Sequence, residues 1–207
     1  ALLADCWGQQ RPKLAWAGWA ALGLLGLTWA WGTHSYNRAW ANAEVHYRAA
    51  IAHQPTAVPM AFNNLADELG RKGTDRPGER LALYDQAIAI YPILVQAHLG
   101  RAEVLLGQGQ LTRADSAIQA ALRLRPDHPR AYWYQGLLFA QRGDQPSALA
   151  ALSRAVALDR QGYFPAIYLA RAKIYLALGQ TQAACADFGV AARAGVVGAQ
   201  APSAHCQ

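Results

Sequence analysis

Residues 131–158 read AYWYQGLLFAQRGDQPSALAALSRAVAL, and this stretch decides the fold. Tyr132, Gly136 and Phe139 stand four and then three residues apart, which places them on one stripe of a helix. Ala148, Leu152 and Ala155 repeat that spacing after a break at Gly143. A small residue inside the stripe lets two helices approach closely, and the large residue a turn away fills the facing hole. Glycine at 143 suits the left-handed backbone that ends a helix. The stretch therefore predicts two three-turn helices, Ala131–Gln141 and Ser147–Leu158, packed as a pair. In this register position 136 should accept Ala but reject Leu.

The same phase extends in both directions. The second-helix pattern recurs as Ala43/Tyr47/Ala50, Ala114/Ile118/Ala121 and Ala184/Phe188/Ala191, with one further copy at Arg80/Tyr84/Ala87. From Ala50 to Ala191 the last members are separated by 37, 34, 34 and 36 residues. Proline follows five residues after the first three of them, at Pro55, Pro92 and Pro126, where it stops a helix. The first-helix pattern reads Phe62/Ala66/Leu69, His98/Ala102/Leu105 and Tyr168/Ala172/Tyr175 around the copy at Tyr132, and glycines close the copies at Gly73, Gly109, Gly143 and Gly179.

This periodicity resembles the tetratricopeptide repeat, a 34-residue helix–turn–helix unit, over about residues 39–195. The resemblance implies an all-α fold, a right-handed α-solenoid. Residues 34–55 supply a linker and an unpaired second helix, residues 56–195 supply four units, and residues 196–207 form an irregular tail. Arg160 and Val196 stand where the last two copies would carry proline. Thr74–Gly78 and Arg160–Gly162 each hold a two-residue insertion at a turn, which loops tolerate cheaply. No polar capping helix follows Ala194, so Val190, Val196 and Val197 are left without a shield at the end of the array.

A physically different segment precedes the repeats. Six of the seven Trp fall within the first 40 residues, and residues 14–33 read LAWAGWAALGLLGLTWAWGT without a charge. Twenty helical residues span about 30 Å, the thickness of a bilayer's hydrocarbon core. Trp16 and Trp19 lie toward one end and Trp29 and Trp31 toward the other, as in the aromatic belts of spanning helices. Residues 14–33 are therefore expected to form a transmembrane helix after an N-terminal flank, residues 1–13. Arg11 and Lys13 crowd that flank, which favours a single-pass membrane protein with its repeats on the extracytoplasmic side.

Reaction chemistry finds no support. The formal charge of +6 comes mostly from arginines spaced singly, with Arg71-Lys72 the longest basic run, so a nucleic-acid partner is not expected. The six His show no metal-ligand spacing, and no C-x2-C pair, phosphate loop, G-x-S-x-G or H-E-x-x-H occurs. No catalytic residue, cofactor or metal is expected. His98 occupies an aromatic slot of its repeat and should pack in the core, and Cys185 should pack as a small hydrophobe.

What remains is a groove. In the repeat family the first helices line a concave, ligand-facing surface. The resemblance carries the facing positions onto Asn63 and Asp67, Leu99 and Glu103, Trp133 and Leu137, and Leu169 and Lys173. With Leu99, Trp133, Leu137 and Leu169 among them, a lysine–asparagine clamp for a terminal carboxylate is not expected. An apolar groove centred on Trp133 would suit a hydrophobic helix or an extended protein segment, the alternative being that Trp133 packs against its own neighbours.

The expected function is a membrane-anchored protein-interaction scaffold. A shorter resemblance, running from Thr33 through Arg38-x-Trp40 and the helix Ala43–His53 to Asn63-Asn64-Leu65, offers a second reading. It is similar to the passage from last span to repeat domain in polytopic membrane glycosyltransferases and O-antigen-ligase-like enzymes, whose catalysis would lie upstream. The unshielded C-terminal end offers a third: an accessory subunit, or a self-associating one, docked there through a partner, a second copy or the tail Gly195–Gln207.

Overall fold

The computed structural model describes residues 20–33, 42–73 and 76–199. The chain divides into two units, Ala1–Ala49 and Ala50–Gln207. In the first, residues 20–33 are helical (α1), and every one of them is exposed, Trp29 to 80% and Leu27 to 69%. Residues 14–19 of the expected span lie outside the described residues. Among those described, no helix is long and apolar enough to cross a membrane.

Helix α2 (Ala43–His53) comes next and has no buried residue; its last turn, from Ala50, belongs to the second unit, where Ile51 packs against the first apolar cluster. Four helix pairs follow: α3 (Pro59–Arg71) with α4 (Pro77–Ile90), α5 (Val95–Gly107) with α6 (Leu111–Leu124), α7 (Pro129–Gln141) with α8 (Gln145–Leu158), and α9 (Ala166–Ala177) with α10 (Thr181–Arg193). Each second helix also packs on the next first helix, and the first helices α3, α5, α7 and α9 touch in series. The array is an all-α solenoid with its first helices side by side.

Local chemistry explains the turns. Gly143 has φ +81°, its N–H donates to the Ala140 carbonyl, and the Asp144 N–H reaches back to Phe139 at 2.9 Å. This paired bonding satisfies carbonyls that the helix end would otherwise leave open. Asp144 is at once the N-cap of α8, its carboxylate accepting from the Ser147 N–H at 3.1 Å. One glycine and one cap thus suffice to reverse the chain. Between pairs, α4 and α6 end differently, at Tyr91 and Arg125 with ψ of 85° and 92°, immediately before Pro92 and Pro126.

Packing follows the small-residue stripe. Ala66, Ala102 and Ala172 are fully buried, as are Ala114, Ala148 and Ala184 from the facing helices. His98 is buried in its aromatic slot, with Nε2 2.8 Å from the Pro92 carbonyl. Between α9 and α10, the Arg171 guanidinium donates twice to the buried Asp187 carboxylate, at 2.6 and 2.8 Å. Two expectations are corrected. Cys185 does not pack as a free thiol: it is disulfide-bonded. Gly136 does not have room for Ala either, because a Cβ there would lie 2.6 Å from Cγ of Leu152, a side chain with no exposure. The two helices approach more closely than spacing alone conveys.

Substituting Ala for Gly in a helix normally stabilises by about 1 kcal/mol, whereas overpacking a filled core costs about 1–3 kcal/mol. Gly107→Ala, at a helical site with nothing within 4 Å of the new Cβ, should therefore raise the urea midpoint. Gly136→Ala should lower it. Equal gains from the two variants would contradict the close approach of α7 and α8.

Candidate functional site

The first helices bring a chain of polar side chains onto one face. Asn63 of α3 is buried, and its amide donates to Asp67 at 3.1 Å. Asp67 also accepts from the Tyr84 hydroxyl of α4. Arg80 of α4 donates to the Ala66 carbonyl at 3.1 Å and reaches Glu103 of α5 at 3.2 Å. Glu103 accepts from the Tyr134 hydroxyl of α7 at 2.7 Å, and that hydroxyl accepts from Arg130 at 2.9 Å. The Arg130 guanidinium stands 5.6 Å from the ring centre of Tyr134 and 6.0 Å from that of Phe164, just ahead of α9.

Burial, reinforced by the Asp67 carboxylate, pushes the Tyr84 phenol far above its ordinary pKa. For Tyr134 burial again raises it; Arg130 pulls it down and Glu103 adds to the rise. Both phenols therefore stay protonated and donate at any physiological pH. The charges on this face are thus engaged with one another: Glu103 between Arg80 and Tyr134, Arg130 with Tyr134 and, at 3.9 Å, with Glu103.

Beside this network opens a cavity of about 520 Å³, lined by Trp133, Leu137, Phe164, Pro165 and Val196 and also by Glu103 and Arg130. Trp133 stacks on Tyr134, their ring centres 5.0 Å apart, so the indole is held by a side chain that the network itself fixes. The indole Nε1 is buried and meets no hydrogen-bond partner.

The eight positions carried over from the repeat pattern divide accordingly. Glu103, Trp133 and Leu137 line the cavity together. Leu99 has no exposure and belongs to the core between α5, α6 and α7, and Asn63 is buried, so neither faces a partner. Asp67 is exposed but serves Asn63 and Tyr84. Leu169 packs against the α9–α10 cluster, and Lys173 is exposed away from the cavity lining. Arg80, Tyr84, Arg130, Tyr134, Phe164 and Val196 were not singled out for the groove. Only Arg80, a charge in a slot that holds Ala in every other copy, left a signal. Among the described residues no three His, Cys, Asp or Glu side chains come together to hold a metal ion.

Residues 99–163 match the tetratricopeptide repeat family model. The match runs through most of the two central helix pairs, α5–α6 and α7–α8. Solved structures agree on the fold. The chain is similar to TTC0263, a thermophilic tetratricopeptide protein of Thermus thermophilus, with 24% identity and a TM-score of 0.63 over 77% of this chain and 84% of that one. It is similar to PilW, a type IV pilus biogenesis factor, with 25% identity and a TM-score of 0.61 over 75% and 70%. It is also similar to YrrB, described as a tetratricopeptide protein with an unusual peptide-binding site, with 19% identity and a TM-score of 0.54 over 71% and 73%. No curated protein sequence matches the chain. Tetratricopeptide repeats serve in general as protein-interaction scaffolds, and the cavity beside Trp133 lies on the first-helix side of the matched stretch.

Tyr134→Phe removes the hydroxyl that joins Glu103 to Arg130 and keeps the ring that supports Trp133. Hydrogen bonds to charged groups contribute about 1.5–3 kcal/mol. The variant should lose stability of that order in urea unfolding while remaining helical. An unchanged midpoint would show that the network is ornamental.

Proposed function

We propose that this chain is a membrane-anchored interaction scaffold that holds an apolar segment of a protein partner, an extended strand or a hydrophobic helix, in its first-helix groove. The observation that carries the reading is the cavity at Trp133 and Leu137, walled by Phe164, Pro165 and Val196. The neighbouring charges already engage one another, so selection falls to apolar contact. A carboxylate clamp is disfavoured because Arg130, the cation in the cavity lining, is engaged by Tyr134 and Glu103.

Two observations support an anchor with the repeats on the extracytoplasmic side. The uncharged stretch 14–33 contains α1, whose Leu and Trp side chains are exposed, an arrangement costly in water and favourable in lipid. The disulfide at Cys185 suits an oxidising compartment.

Peptides selected from a random displayed library on the purified chain test the groove. Enriched sequences should be aromatic or aliphatic, and Trp133→Ala should weaken them at least about tenfold, or about 1.4 kcal/mol. Lys173→Ala should leave them unchanged. Selection of acidic peptides, or of peptides indifferent to Trp133, would overturn the apolar groove. For the anchor, the full chain should stay with membranes through an alkaline carbonate wash, and a version lacking residues 14–33 should be released. Extraction of the full chain by carbonate would refute it.

A further inference from the structure

One wall of the cavity comes from a connector that departs from the repeat. Helices α4 and α5 are joined by residues 91–94 and helices α6 and α7 by residues 125–128, whereas α8 and α9 are joined by the longer stretch 159–165. Four residues beyond Ala87, Ala121 and Ala155 stand Tyr91, Arg125 and Asp159. Tyr91 and Arg125 are exposed and precede the prolines that stop their helices. Asp159 is 6% exposed and precedes Arg160.

With no proline at this end of α8, a buried carboxylate organises the chain. One oxygen of Asp159 accepts from the Tyr163 N–H at 3.0 Å, and the other accepts from the Phe164 N–H at 2.9 Å. The Asp159 carbonyl accepts from the Gly162 N–H at 3.1 Å, where Gly162 turns the chain with φ +68°. Hydrogen bonds to an ionised acceptor are about twice as strong as neutral ones, and a carboxylate buried without them would be costly. These three bonds fix residues 162–164 as one turn.

The turn presents two rings. Phe164 is half-buried, with the Arg130 guanidinium 6.0 Å from its ring centre, and it lines the cavity together with Trp133 and Leu137. Tyr163 lines the same cavity yet is 72% exposed, so folding leaves most of its ring in water. An apolar segment seated against Trp133 would cover that ring, and aromatic area of this kind dominates the energetics of interfaces.

We propose that Asp159 and Tyr163 set the specificity of the groove. Asp159 is a positioning residue: it holds Phe164 as the wall that limits the side chain seated beside Trp133. Tyr163 is a contact residue, its ring covered by the bound segment. Both roles rest on the apolar groove proposed above; what they add is a measure of the partner's anchoring side chain.

The test uses the full chain and a peptide enriched on it from the displayed library. Replacing each peptide residue with Ala identifies the anchor, the position where affinity falls most. Wild-type chain should prefer the anchor over its Ala version at least about tenfold, and Asp159→Ala should reduce that preference at least about fivefold. A mere loss of folded protein lowers both affinities by one factor and leaves their ratio unchanged. Tyr163→Ser, which alters an exposed side chain, should weaken the parent peptide at least about fivefold with no change in the urea midpoint. An unchanged ratio in Asp159→Ala, or an unchanged affinity in Tyr163→Ser, would overturn the assignment while the Trp133 groove stands. A library that enriches no Trp133-dependent peptide would sink the groove itself, and the two roles with it.

Discussion

Each helix pair in the solenoid depends on a position where there is almost no side chain. Ala66, Ala102, Gly136 and Ala172 sit fully in the contact between paired helices. At Gly136 even a methyl group would collide with Leu152. Close approach at these points lets Tyr84, Ile118, Leu152 and Phe188 interlock from the second helices. Because the same contact recurs in every pair, the first helices stand side by side with equivalent faces in a row. The groove is a consequence of that repetition.

Where one copy departs from the pattern, the structure answers locally. Arg80 occupies a slot that holds Ala in the other copies, and space for its guanidinium exists because residue 70 is glycine: a Cβ there would lie 2.6 Å from Cζ of Arg80. The displaced cation bonds to the Ala66 carbonyl of its own unit and to Glu103 of the next. From Glu103 the linkage passes to Tyr134 and Arg130 and so reaches the support of Trp133. A change of one residue in the first repeat is thereby tied to the floor of a cavity two repeats away. Charge on the face is consumed internally, and the rest of the cavity wall is aromatic and aliphatic.

Much of this was legible in the sequence. The spacing of small and large residues, the glycines at the turns and the prolines between pairs are local signals, and local signals set the helices. Trp133, Leu137 and Glu103, which share a register, line one cavity. Register alone failed for Leu99, which occupies the position of Trp133 one unit earlier but is enclosed by α6 and α7. The polar network was not legible, since its members stand 17, 23 and 31 residues apart and meet only through side-chain reach. Cys185 was misread because its bonding partner is not a neighbour in any short motif.

The central claim is that recognition in the groove is apolar because the charges beside Trp133 are already satisfied. Calorimetric titration of a groove-binding peptide over a range of temperature and salt tests it most directly. Burial of apolar surface gives a negative heat-capacity change, and binding without free charge is insensitive to screening. The account predicts a clearly negative heat-capacity change and an affinity that is the same in dilute and concentrated salt. A heat-capacity change near zero, with affinity falling steeply as salt rises, would contradict it.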